Sequence, residues 1–145
     1  MKKKYIIIIL VFLFGYLFLG FIVKYKMKNI KRNELYTFGE VLKISHVQAS
    51  RTADFKYFVD GKTLIGSSMD FTDNITQVGS KYFVIVNEND LEQAYILGCC
   101  PYDESKHFVP ANGLDKIPDV VLQKKADDAF EEIFNSPLGR FLPPY

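Results

Sequence analysis

Cys99 and Cys100 are the only cysteines of this 145-residue chain, and His46 and His107 its only histidines. Thiols and imidazoles carry much of the nucleophilic, acid–base and soft-metal chemistry open to a protein. Their spacing here supports little of it. Neighbouring Cα atoms lie ~3.8 Å apart, below the ~4.4 Å at which ordinary disulfides begin. A Cys99–Cys100 bond would be strained, so the pair is no disulfide framework and does not identify a redox compartment. Together with His107 the pair could be drawn as a metal cluster, but no second ligand pair stands at finger-like spacing. Two small, half-buried residues at a strand end is the better reading. Ser67 and Ser68 follow Gly66 without a Gly-x-Ser-x-Gly elbow, and a triad would need His46 or His107 plus an acid that no motif supplies. His46 falls within a strand pattern as a surface or rim residue. Asp70, Asp73 and Asn74 form an acidic turn, but the twelve-residue calcium loop with its closing glutamate is missing. There is neither a phosphate-cradling glycine loop nor a His-Glu-x-x-His helix. The expectation is a protein that is not an enzyme and has no catalytic residues, no cofactor and no metal.

The elements that would have to position any site begin with a charge split. Residues 1–36 hold eight Lys/Arg against one acid, and residues 37–145 hold ten against sixteen acids. The basic part suits an anionic lipid surface. The acidic part lacks the clustered cations that displace phosphate counterions, which argues against nucleic acid.

Within the basic part, YIIIILVFLFGYLFLGFIV (Tyr5 to Val23) is nineteen residues without a charge. As a helix it spans ~28 Å, matching a hydrocarbon core of ~30 Å. Residues 1–4 read as a short basic tail and 24–36 as a basic juxtamembrane stem bearing Lys24, Lys26 and Lys28, with Tyr5 and Tyr25 marking the two interfaces. A cleaved signal peptide would need a shorter apolar region and small residues at the cut, whereas Val23-Lys24-Tyr25-Lys26 is bulky and charged. A retained single-pass anchor in a cell membrane is expected. Three Lys/Arg precede it and five follow, which leans toward a cytoplasmic domain. A short N-terminal tail equally suits export, and the side stays open. Gly15 and Gly20 are five apart, so the Gly-xxx-Gly dimer motif is missing.

Residues 37–100 read as a small β domain. Thr37–Val47 alternates as a strand, and residues 48–54 (QASRTAD) read as a small polar loop. Asp60-Gly61 between two β-rich arms matches a two-residue type I′ turn with positive φ at both positions. In the first arm Phe55, Tyr57 and Val59 should point one way, with Lys56 and Phe58 the other. Gly66 in the second arm signals a bulge or a close backbone approach. KYFVIVNE is apolar on both faces and reads as a central strand, and AYILGCC reads as a fifth. Five short strands with turn chemistry between them predict a curled sheet or small barrel. Residues 101–117 look like an irregular linker. Residues 118–135 place Val121, Leu122, Ala126, Ala129, Phe130, Ile133 and Phe134 on one stripe, an amphipathic helix packing on the sheet. Residues 136–145 form an extended tail. The fold class is thus mainly β with helices: an N-terminal transmembrane helix, a curled five-stranded sheet and a C-terminal amphipathic helix.

The order Gly39-x-Val41, Tyr57-x-Val59-x-Gly61, Gly66, Val78-Gly79-x-x-Tyr82-x-Val84-x-Val86 and Ala94-Tyr95-Ile96-Leu97 resembles a widespread uncharacterised bacterial family. Its members carry a small β domain beside one or two membrane helices. The resemblance covers about Thr37 to Leu97. Members usually have prolines in the turn before the last strand, where this chain has NENDLEQ. The likeness implies a curled β domain at a membrane and brings no known site residues.

Outside the apolar run the aromatics gather in the β segments, at Phe55, Tyr57, Phe58, Tyr82, Phe83 and Tyr95. They are the candidate interaction face, with Phe58 and Phe83 the rings to watch for exposure, although a core without tryptophan also needs such rings. The expected function is protein–protein contact at a bacterial envelope, with the bilayer and another protein as partners. One alternative is a receptor holding a peptide or sugar on the aromatic face. Another is a membrane-anchored, toxin-neutralising protein, suggested by the acidic domain and by analogy.

Overall fold

An uncharged run followed directly by Lys-rich turns makes one uninterrupted helix, α1 (Lys2–Arg32). The computed structural model describes residues 2–47, 50–69 and 74–135. The expected tail at 136–145, and Asp70 and Asp73 of the acidic turn, lie outside them. At ~1.5 Å per residue α1 is ~46 Å long, and among the described residues it is the one helix long and apolar enough to cross a membrane. Its last turn carries Lys31 and Arg32, cations that suit the negative end of a helix dipole. Asn33 closes it, with backbone N–H and side-chain amide both donating to the Asn29 carbonyl.

The chain then enters β1 (Glu34–Val47) with a single turn residue between helix and strand. The segment expected to be a separate stem is therefore divided: residues 24–32 complete α1, and 34–36 open β1. Four more strands follow: β2 (Ser50–Val59), β3 (Lys62–Met69), β4 (Lys81–Asn87) and β5 (Asp90–Pro101). The order across the sheet is β3-β2-β1-β4-β5, with every neighbouring pair antiparallel. β4, expected to be central, does have a strand on each side. The polar loop expected at 48–54 is instead mostly strand, because Ser50 already pairs with Val47 and Ala53 fills a fully buried inner position opposite Ile44. Small polar composition looked like a loop, while pairing made it the start of β2.

The Asp60-Gly61 turn is as expected, with φ of 52° and 68° between Val59 and its partner Lys62. Gly66 marks a close approach rather than a bulge, since its register with Phe55 is regular. A Cβ there would sit 2.8 Å from Phe55 Cζ and 3.3 Å from Tyr57 Cε1. The register breaks lie elsewhere, in the β1–β2 pairing between Val41 and Lys43 and at two points of the β4–β5 pairing. Such irregularities bend a sheet and increase its twist.

The sheet curls but does not close into a barrel. Its edges, β3 and β5, meet through a side chain, the Ile96 N–H donating to Ser68 Oγ at 3.4 Å. The concave face holds one core of Val41, Ala53, Phe55, Tyr57, Val59, Tyr82, Val84, Val86 and Ile96. Ile75, from the connection between β3 and β4, is fully buried in the same core. Tyr57 Oη reaches across the concavity to the Leu91 carbonyl at 2.7 Å.

The convex face carries a second core. Tyr36, Phe83, Ile85, Leu97 and Cys100 pack there with Met27 and Ile30 of α1. Ala126 and Phe130 of α2 (Val120–Asn135) complete it. Asp119 caps α2, its carboxylate accepting the Val121 and Leu122 N–H groups at 2.8 and 3.1 Å. Leu122, Ala126 and Phe130 of the expected stripe do face the sheet, but Val121 is 65% exposed. The Ile133 and Phe134 side chains of that stripe lie outside the described residues. The expected linker at 101–117 is part of this layer. Val109, Leu114 and Ile117 pack against the core, and Leu114 exchanges backbone hydrogen bonds with Tyr36 at 2.7 and 2.8 Å.

Candidate functional site

The convex face divides into a covered half and an open half. Over β4 and β5, α2 and the last turns of α1 bury the sheet. Met27 and Ile30 are 2% and 4% exposed, so the foot of the long helix is built into the domain. Polar groups lock this junction. Lys31 Nζ bridges Glu34 at 2.7 Å and Asp127 at 2.6 Å and lies 5.7 Å from the centre of the Phe130 ring. Tyr36 Oη donates to Glu34 and accepts from Gln123 Nε2. Gln123 Nε2 also reaches Asp127, and its Oε1 accepts the Ile117 N–H. The circuit joins α1, β1 and α2. Burial pushes the Tyr36 hydroxyl up to about 12, against the opposing Gln123 hydrogen bond and the Lys31 charge.

The six expected aromatics do not form one surface. Phe55, Tyr57 and Tyr82 belong to the concave core and Phe83 to the convex core, all buried. Tyr95 is partly buried against α2's side of the sheet. Phe58 is half-buried, on the opposite side of β2 from Phe55 and Tyr57. The reason is strand alternation together with two-sided coverage: odd positions of β2 and even positions of β4 fill the concavity, and the helices take the other side. A single aromatic face able to receive a ligand is therefore replaced by two filled cores.

The open half lies over β1, β2 and β3. Phe38 stacks between Phe58 and Tyr102, with ring centres 5.2 and 4.7 Å apart. Tyr102 and His107 each meet Phe83 edge-on at 5.3 Å. Tyr102 Oη donates to the His107 carbonyl at 3.0 Å. Offset and edge-to-face rings at these separations are favourable geometries. Ile65 is 74% exposed on this half, and Phe108, the neighbour of His107 in the chain, is 80% exposed. Ile65 shares the convex face of the β2–β3 hairpin with Phe58, because it pairs with Lys56 one step along that face. Ion pairs border the strip, Lys56–Glu40 at 3.1 Å and Lys81 with Glu104. Phe38, Tyr102, Ile65 and Phe108 were not among the expected site residues. Strand alternation from inward Gly39 and Val41 was the signal that would have turned Phe38 outward beside Phe58.

The residues with potential chemistry are scattered. His46 is exposed at the far end of β1, paired with Arg51, whereas the His107 Nδ1 accepts the Asp103 N–H at 3.4 Å inside the aromatic group. Ser67 is exposed and Ser68 buried, on opposite faces of β3. The Asn74 carbonyl accepts the Tyr82 hydroxyl. No group of three His, Cys, Asp or Glu side chains placed to hold a metal occurs among the described residues. Of the expected anchor residues, Tyr5, Lys26 and Lys28 are exposed and Lys24 half-buried, while the Val23 side chain lies outside the described set.

Comparison with known protein families, with curated proteins and with solved structures yields no match to this chain.

Proposed function

We propose that this chain is a single-pass membrane protein whose β domain works by binding another protein at a cell envelope rather than by catalysis. The observation that carries the reading is the uncovered half of the convex face. There, a stacked Phe58–Phe38–Tyr102 strip adjoins the exposed Ile65, with exposed Phe108 next in sequence to His107, while the concave face and the rest of the convex face carry buried cores. A rigid aromatic patch with a charged rim is the composition favoured at protein interfaces.

The membrane part rests on α1. Apolar side chains from Tyr5 to Phe21 stand exposed along it, far more contiguous oily surface than a domain keeps in water. From Val23 to buried Met27 is one helical turn, ~6 Å. The domain would thus sit against the headgroups in one orientation, with the open half held at a constant angle to the bilayer.

The test is site-specific photo-crosslinking in native membranes from positions 65 and 108, with exposed Lys124 on α2 as the reference position. Discrete protein adducts from 65 and 108, lost on Phe58→Ser and not formed from 124, are expected. Membranes giving no adduct from either position would overturn the reading.

A further inference from the structure

Cys99 and Cys100 occupy the most irregular part of the sheet. Tyr82 pairs with Pro101 and Val84 with Ile96, so β5 uses five steps where β4 uses two. A regular strand sends consecutive side chains to opposite faces. Here the extra residues turn both thiols toward the same helix. Their sulfurs are 3.4 Å apart. Cys100 Sγ donates to the Leu122 carbonyl at 3.3 Å, and Cys99 Sγ lies 3.8 Å from the Lys125 carbonyl. Cys100 is fully buried and Cys99 half-exposed. The two are therefore accessible from one side only, through Cys99.

We propose that Cys99-Cys100 is a redox modification site: a vicinal dithiol that exchanges with a small-molecule disulfide, closes on itself and loosens α2 from the convex face. The Cys99 thiolate attacks one sulfur of the disulfide, breaking its S–S bond and releasing one thiol. A mixed disulfide on Cys99 results. Cys100 then loses its proton and attacks the Cys99 sulfur, expelling the second thiol. The protein gives up two hydrogens and two electrons, and the small disulfide becomes two thiols. The order follows from access, and the buried Cys100 thiol is also held above its ordinary range by its hydrogen bond with Cys99 and by burial.

Two physical consequences define the site. The bond would join residues whose Cα atoms are nearer than ordinary disulfides allow, and strained disulfides are the readily reduced, regulatory kind. Closure is therefore reversible. In addition, a disulfide has no S–H. Both donors facing α2 disappear at once, and the sulfurs must draw together from 3.4 Å within a packed core. The helix that loses these contacts is the one that also bears Asp127 and Phe130 against α1.

The experiment uses the full chain in lipid nanodiscs with oxidised glutathione as the probe. Mass spectrometry after alkylation should show loss of two hydrogen masses and of both alkylation sites, restored by dithiothreitol. Cys100→Ser should stop at a glutathione adduct on Cys99. Amide exchange over residues 120–135 should rise roughly tenfold on oxidation, and stay constant for a Cys99→Ser/Cys100→Ser double variant given the same treatment. A persistent glutathione adduct on the wild-type chain, or chains linked to one another, would overturn the intramolecular closure. A closed disulfide with unchanged exchange in α2 would overturn the coupling.

Discussion

The two halves of the convex face are made from the same materials and end differently. Over β4 and β5, Phe83, Ile85 and Leu97 are buried in one core with residues of α1 and α2. Over β1, β2 and β3, the half-buried Phe38 stacks with Phe58 and Tyr102, and Ile65 is exposed. The difference is one of reach. α1 packs against β4 and β5, and α2 is tied to β5 by Cys100 and to α1 by the Asp127–Lys31 bridge, so both helices lie over the β4–β5 side of the sheet. Apolar residues on the uncovered side therefore remain as surface, while those on the covered side hold the helix and sheet together.

Variants can break or sharpen this contrast. The largest effect is expected from Phe130→Ala in the covered half, which should lower stability by ~3–5 kcal/mol in denaturant unfolding of the full chain. A loss as small as that of a surface residue would mean α2 does not hold the face. Gly66→Val acts on the opposite side of the sheet from both halves, because its side chain would meet Phe55 and Tyr57 in the concave core. A cost of ~1–3 kcal/mol is expected by the same measurement, with the convex aromatics unchanged in near-ultraviolet circular dichroism. The junction itself can be weighed by a double-mutant cycle of Lys31→Met and Asp127→Asn. Since both side chains are partly exposed, their coupling should be ~0.5–1 kcal/mol, and a value near zero would make the apolar contacts of Met27 and Ile30 the whole junction. The smallest change in stability, within ~0.5 kcal/mol, is expected for Ile65→Ser with Phe108→Ser in the open half. The same pair should abolish crosslinking to a partner from a probe at exposed Thr63, the residue paired with Phe58, and a large loss of stability instead would identify them as structural.

Some of this was legible in the residues. The Asp60-Gly61 hairpin could be read directly, because positive φ at two successive positions is a local demand that Asp-Gly meets. The apolar length of α1 and the inward Leu122, Ala126 and Phe130 of α2 were equally local, set by helical period. The start of β2 was not legible, since Ser50 to Ala53 become strand through their pairing with β1. Nor was the aromatic site. Alternation already put Phe55 and Phe58 on opposite faces, but what lies over each face, and so which ring is buried, could not be read from the residues.

What the sequence by itself determined is the apolar helix, the turn chemistry and the alternation that makes strands, because each depends on residues within a few positions of one another. The tertiary structure alone decided that the foot of that helix becomes core, that two adjacent thiols face one helix, and that half of an aromatic face stays open. Those outcomes depend on long-range pairing and on the finite reach of two helices over a curved sheet, distances that no short stretch of chain contains.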